Sequence, residues 1–206
     1  AATEPVGQAK QPLIVQCLTI QRGTLGTVAD AEIRRTIGTS ITTDVEAKTN
    51  YGALATASVG NVGTNKKNRK TFLSFDVSAV PAGSVITQAT VTLNTSNTGP
   101  GTVSVRAAGA AWAENLITFS NAPAYGAEVT SFLAGPAPAG PRTFNIDGLV
   151  SAWVNGAPNN GIVLLEESGT AVISMTLSSS EDANVALRPK LDVCYQIPQP
   201  CDQNPC

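Results

Sequence analysis

The 206-residue chain carries 13 Lys and Arg against 15 Asp and Glu, has no histidine, and bears a formal net charge of −2. It is 42% hydrophobic and only 14% charged, which excludes a charge-rich disordered chain, and the absence of a basic excess argues against a nucleic-acid binder. No apolar run reaches the roughly 18 residues of a membrane-spanning helix, and the length suits one all-β domain that buries its own core.

Residues 1–12 are polar, contain prolines and lack periodicity, so they read as a tail. Ala1-Ala2-Thr3-Glu4-Pro5 lacks the basic-plus-apolar pattern of a signal peptide, as at the start of a processed chain. Residues 13–21 (LIVQCLTIQ) form the first predicted strand. Ile14, Leu18 and Ile20 share one face with Gln16, while Val15, Cys17 and Thr19 share the other. Gly23 and Gly26 break it. Residues 30–37 alternate Ala31, Ile33, Arg35 and Ile37 against Asp30, Glu32, Arg34 and Thr36, which predicts a second strand.

Asn50-Tyr51-Gly52 is a turn signal, and strands at 54–59 and 70–77 flank a polar loop at 60–69. Pro81-Ala82-Gly83 marks another turn. Residues 85–94 (VITQATVTLN) are rich in β-branched side chains, and 102–107 is a short partner. Residues 134–141 (AGPAPAGP) read as a loop, because three prolines remove donors. The only helical turn is expected near 147–153. Closing strands fall at 161–166, 171–178 and 191–195, and 198–206 is too proline-rich to be core. Turn signals at this spacing predict an antiparallel sandwich or barrel. The expected division is an N-terminal extension (1–27), a single sandwich domain (28–195) and a Pro/Cys-rich tail (196–206).

Four cysteines, Cys17, Cys194, Cys201 and Cys206, allow three pairings. A Cys17–Cys194 bridge would tie the first strand to the last, with Cys201–Cys206 closing a small loop. Four free thiols are the alternative. Zinc is disfavoured by the lack of histidine and by the spacing of Cys201 and Cys206.

Several ordered phrases carry a resemblance. They are Asn50-Tyr51-Gly52; residues 69–78 (RKTFLSFDVS) with Pro81 and Gly83; residues 89–93 (ATVTL); and Trp112-Ala113-Glu114 with Thr118, Phe119, Asn121 and Pro123. Val150 to Trp153 with Gly156 and Asn160-Gly161, Ser179-Ser180-Glu181, and Arg188-Pro189-Lys190-Leu191 complete the series. Over about residues 30–195 the chain resembles the DNRLRE domain family, a secreted bacterial group that overlaps a carbohydrate-binding module family. Phe119 stands where that family usually has tryptophan. The resemblance implies a jelly-roll β-sandwich outside the cell; some relatives bind acidic polysaccharide such as alginate, and others are accessory modules on surface proteins. It also implies that Trp112, Trp153, Phe72 and Phe75 are core anchors. Glu114 and Arg188 are expected to satisfy buried polar groups or to pair with each other. Residues 201–206 (CDQNPC) resemble the opening of an EGF-like module.

With no histidine, Ser-His-Asp and Cys-His sites are excluded. The carboxylates Asp76, Glu114, Asp147, Glu166, Glu167 and Glu181 are scattered without a signature, so no catalytic residue is assigned and an enzyme is not expected. Asp30, Asp76 and Asp147 could donate to calcium, but nothing in their spacing singles them out, and no metal or cofactor is expected. Lys66, Lys67, Arg69 and Lys70 form the dense basic patch, which could grip a carboxylated or sulfated polysaccharide; the alternative is a solvated loop. For sugar stacking only Tyr51, Tyr125 and Tyr195 remain.

The apolar strand Leu13, Ile14, Val15, Leu18 and Ile20 precedes the family-like region. Either it pairs within its own sandwich, secured by Cys17, or it adds to the open edge of a neighbour, as in strand-donating pili. The leading expectation is a non-catalytic extracellular structural and adhesive subunit of a surface fibre or matrix, self-associating by N-terminal strand addition. The alternative is a carbohydrate-binding module for acidic polysaccharide that uses the Lys66 to Lys70 loop. Neither reading involves nucleic acid or a membrane span.

Overall fold

The computed structural model describes residues 14–62, 67–99, 101–135, 139–166 and 175–197. The described residues form an antiparallel β-sandwich. Its strands are β1 (Val15–Gln21), β2 (Val28–Thr36), β3 (Thr56–Val62), β4 (Lys67–Phe75), β5 (Val85–Thr98), β6 (Gly101–Ala108), β7 (Tyr125–Gly135), β8 (Gly140–Asn145), β9 (Ile162–Leu165), β10 (Met175–Ser178) and β11 (Lys190–Gln196). Two short helices accompany them, α1 (Val45–Lys48) and α2 (Asp147–Val154), with one 3₁₀ turn at Val185–Leu187.

The first sheet runs β1–β11–β5, with β8 along the far edge of β5 and β10 taking over from β11 near the end of β5. The second runs β2–β4–β9–β6–β7. β3 belongs to both: Thr56 to Val59 pair with β10, then Gly60 to Val62 pair with β4. Gly60 sits at the change of partner with φ +110, a conformation that a side chain would resist.

The alternation in β5 is the plainest reason for the fold. Ala89, Val91 and Leu93 are fully buried, while Gln88, Thr90 and Thr92 face outward. The main core lies between the sheets and includes Ile20, Leu73, Phe75, Leu93, Leu164, Leu177 and Leu191. α2 closes it with Val150, Trp153 and Val154.

A second, smaller core lies on the outer face of the second sheet. Ala31, Ile33, Phe72, Val163 and Leu165 are roofed there by Ile117, Trp112, Phe119, Ala122 and Tyr125. Phe72 meets Trp112 edge to face at 5.5 Å. The second sheet is therefore covered on both faces, which explains the unbroken apolar run of β9 (IVLL).

Several expectations are corrected. β2 begins at Val28 and ends at Thr36, and its Asp30 and Glu32 are buried between the sheets. The polar loop expected at 60–69 is narrower, since β3 runs to Val62 and β4 starts at Lys67. Strands β7 and β8 flank the proline-rich loop where no strand was expected. The helical turn at 147–153 is present as α2, but α1 and the 3₁₀ turn make it one of three. Phe72, Phe75 and Trp153 are core anchors, and Trp112 is only half-buried.

β1 lies beside β11 of its own chain in a ladder from Val15↔Gln196 to Gln21↔Lys190. Cys17 and Cys194 face each other in that ladder and are disulfide-bonded. Leu18 and Ile20 turn into the main core, whereas Ile14 and Val15 are exposed. Leu13, Cys201 and Cys206 lie outside the described residues.

The disulfide closes a loop of sequence separation 177. Long loops gain most from a cross-link, and replacing both Cys17 and Cys194 by Ser is expected to cost about 2–5 kcal/mol. Urea unfolding of the double variant checks this. A midpoint equal to that of the oxidised wild type would show that the ladder alone holds β1.

Candidate functional site

Strand alternation divides the basic segment Lys66, Lys67, Arg69 and Lys70. Lys66 lies outside the described residues. Lys67 pairs with Glu46 of α1. Arg69 and Arg34 converge on one oxygen of buried Glu32, at 3.7 and 3.2 Å. Burial raises the Glu32 pKa, with Arg69 and Arg34 pulling it back. The Arg34 guanidinium also lies 3.7 Å from the Tyr51 ring centre. Lys67 and Arg69 are thus engaged with acids of the protein itself, on the side of β4 opposite Lys70.

Lys70 faces the other way, onto the outer side of the second sheet. The register places it opposite Ile33, with Arg35 opposite Asn68 two residues along. Arg106 shares this face through Val163 and Phe72. Three cations from three strands therefore emerge around two rings. The Arg35 guanidinium lies 5.3 Å from the Phe119 ring centre. Lys70 Nζ lies 5.3 Å from Phe119 and 4.8 Å from Tyr125. Arg106 lies 5.7 Å from Tyr125. The result is a row in which cation and ring alternate, with all five side chains half-buried. Lys70 Nζ donates to Tyr125 Oη at 3.1 Å, and an Arg106 N–H donates to the Gly126 carbonyl at 2.8 Å. Glu128 stands opposite Arg106 at one end of the row and accepts from Ser104 Oγ at 2.7 Å.

The family-like phrases hold the roof that carries Phe119. Asn50 Nδ2 donates to the carbonyls of Glu114 and Ile117 at 2.8 and 2.7 Å. Gly52 packs so closely on the Glu114 carbonyl that a Cβ there would lie 2.2 Å away. Asn121 accepts from Thr118 N–H and donates to the Leu116 carbonyl. Trp112 Nε1 donates to the Asn160 carbonyl at 2.9 Å. These residues position the site rather than form it. Tyr195 is buried, its hydroxyl donating to Gln16, so of the three tyrosines only Tyr125 joins the row.

A separate polar cleft of about 160 Å³ is lined by Arg22, Asn50, Gly52, Ala53, Glu114, Asn115 and Glu181. One Arg22 nitrogen reaches both Glu114 oxygens at 3.2 and 3.1 Å, Ser180 Oγ at 3.0 Å, and Glu181. Glu114 and Arg188 do not pair with each other. They share Arg22, Glu114 through the guanidinium and Arg188 through the backbone carbonyl at 3.0 Å. Asp76 accepts from Ser78 N–H and Asp147 from Ala89 N–H, while Glu167 lies outside the described residues. Among the described residues, no group of three or more acidic, Cys or His side chains is arranged to hold a metal.

Asp30 lies beneath this cleft at 2% exposure. Its Oδ2 accepts from Ser180 N–H at 2.6 Å, and its own N–H donates to Glu114 at 2.9 Å. Burial pushes its carboxyl from 3.8 up to about 7; Glu181 and Glu114 add to the rise and Ser180 opposes it. Burial also raises Glu181. Between these values the folded chain holds more protons at Asp30 than the unfolded chain does. That stability is present below about pH 4 and is lost as pH rises through about 7. The melting temperature is therefore expected to fall from about pH 5 to pH 8. Asp30→Asn, which keeps an acceptor for Ser180, should flatten most of that slope. Thermal melts across this range check it, and an unchanged slope in Asp30→Asn would overturn the assignment.

No curated protein matches the chain. The family model described as carbohydrate-binding module family 96 matches residues 30–194. The matched stretch begins inside β2 and ends inside β11, so β1 and Arg22 lie outside it while the cation-and-ring row lies wholly within. Matched over most of its length, the chain belongs to carbohydrate-binding module family 96.

Proposed function

We propose that this chain is a non-catalytic, extracellular module that binds acidic polysaccharide on the outer face of its second sheet. The observation that carries the reading is the row Arg35, Phe119, Lys70, Tyr125, Arg106. A carboxylated or sulfated sugar offers both things that such a row takes. Its anionic group accepts charge-assisted hydrogen bonds from Lys and Arg. Its C–H face buries apolar surface against an aromatic ring. The net charge of −2 does not oppose this, because a polyanion responds to the local field of three clustered cations. Family membership supports the ligand class at the level of carbohydrate. The exposed Cys17–Cys194 bridge suits an oxidising compartment.

The fibre reading asks more of the molecule. Donation of β1 to a neighbour would strip Val15 to Gln21 from β11, break the disulfide and withdraw Ile20 from the core. Polysaccharide binding requires none of that.

Titration calorimetry against a soluble polyuronate tests the proposal. Lys70→Ala is expected to weaken binding about tenfold, the ~1.4 kcal/mol of one half-exposed charge-assisted contact. Lys67→Ala, which removes only the partner of Glu46, should leave affinity unchanged. Affinity should also fall as NaCl is raised. Equal loss in the Lys67 and Lys70 variants would favour the 66–70 loop as the site. Salt-insensitive binding of a neutral glucan at equal strength would overturn the acidic-ligand reading.

A further inference from the structure

We propose that the glycan lies diagonally across the strands of the second sheet, so that the site takes a linear polyanion and reads it over a stretch longer than a disaccharide. This rests on the acidic-polysaccharide reading above and adds the direction and length of the bound chain.

Strand register sets the direction of the row. Arg35, Lys70 and Arg106 stand on β2, β4 and β6, and β9 separates the last two, so the row crosses three strand-to-strand steps. Each step also moves along the strands. Arg35 lies level with Asn68, Lys70 two residues further, and Arg106 level with Phe72. Steps of about 4.8 Å across and 3.3 Å per residue along give a diagonal of about 20 Å between the outermost Cα atoms.

Along their own strands the outward neighbours of these cations are Ile33 on β2, Asn68 and Phe72 on β4, and Ser104 and Ala108 on β6, so no strand carries a second cation of the row. A ligand that met all three charges must therefore cross the strands. Between successive cations it meets a ring: Phe119 between Arg35 and Lys70, Tyr125 between Lys70 and Arg106. That alternation suits a regular chain in which anionic groups and sugar faces recur in turn. A single charged monosaccharide would engage Lys70 and leave both ends of the row unused.

Three anchors on one chain act at high effective concentration once the first is bound, so affinity should climb with chain length until all three are engaged. The experiment is calorimetry with uronate oligosaccharides of two, four, six and eight sugars on the wild type, Arg35→Ala and Arg106→Ala. The wild type is expected to bind the hexamer at least about tenfold tighter than the dimer and then to level off. Each end variant should weaken the dimer less than Lys70→Ala does, lose most of the gain for longer chains, and level off at a shorter length. Lys70→Ala should weaken every length. Equal affinity for dimer and octamer, with measurable binding of both, would overturn the extended site while leaving acidic-sugar recognition at Lys70 intact. A gain with length that Arg35→Ala and Arg106→Ala left untouched would place the extra contacts elsewhere and overturn the diagonal. Failure of every oligomer and of the polymer to bind would instead reject the underlying reading. Circular dichroism of each variant separates lost contacts from lost fold.

Discussion

The cover over Phe72 is the contact on which the outer face of the second sheet depends. A sandwich strand ordinarily turns one face to water, and Phe72 points the wrong way for that. Trp112, Ile117 and Phe119, with the segment that carries them, exclude water from it. Asn50 and Asn121 tie that segment down through backbone carbonyls, and Gly52 lets it come close. Once the roof is fixed, its rim is fixed too. The side chains at that rim are Arg35, Lys70 and Arg106, held against the rings that the roof presents. A binding surface here is the edge of a small second core, and its rigidity comes from apolar packing rather than from the polar contacts at the surface.

The charges of the chain fall into two populations with different work. Those between the sheets or at their rims are matched internally: Glu32 by Arg34 and Arg69, Glu46 by Lys67, Glu114 and Glu181 by Arg22. Such pairs offset the desolvation of groups that the fold has already buried, and they add little net stability. The outer population, Arg35, Lys70 and Arg106, stands beside aromatic rings. Neighbours in sequence can fall in different populations, as Arg69 and Lys70 do. Net charge therefore says little about what the outer face attracts.

Much of the fold was legible. The β-branched run of residues 85–94, the apolar run at 161–166 and the helical turn at 147–153 each appear near where the sequence puts them, and Cys17 bonds to Cys194. What was not legible shares a cause. β7 is an edge strand whose outward side chains mix Glu128, Val129 and Leu133, so no period-two pattern shows. β8 contains Pro141, tolerable only because it too is an edge. The burial of Asp30 and Glu32 was not legible because their partners, Ser180 and Arg69, lie far away in sequence. The site was half legible: Lys70 was singled out, but Arg35 and Arg106 join it only through register. Parity was the available signal, since Lys67 and Arg69 share one side of a strand and Lys70 takes the other.

The bond between Cys17 and Cys194 has a mechanical meaning. It joins β1 to β11, so the two strands cannot part beyond it without a covalent bond breaking. Tension applied through β1 and β11 passes along a few residues of β1 into one covalent link and out through the end of β11. The strands that carry Arg35, Lys70 and Arg106 stand outside that line of force. A chain pulled through β1 and β11 would keep the geometry of its second sheet up to loads that would unravel an unlinked sandwich from its edge.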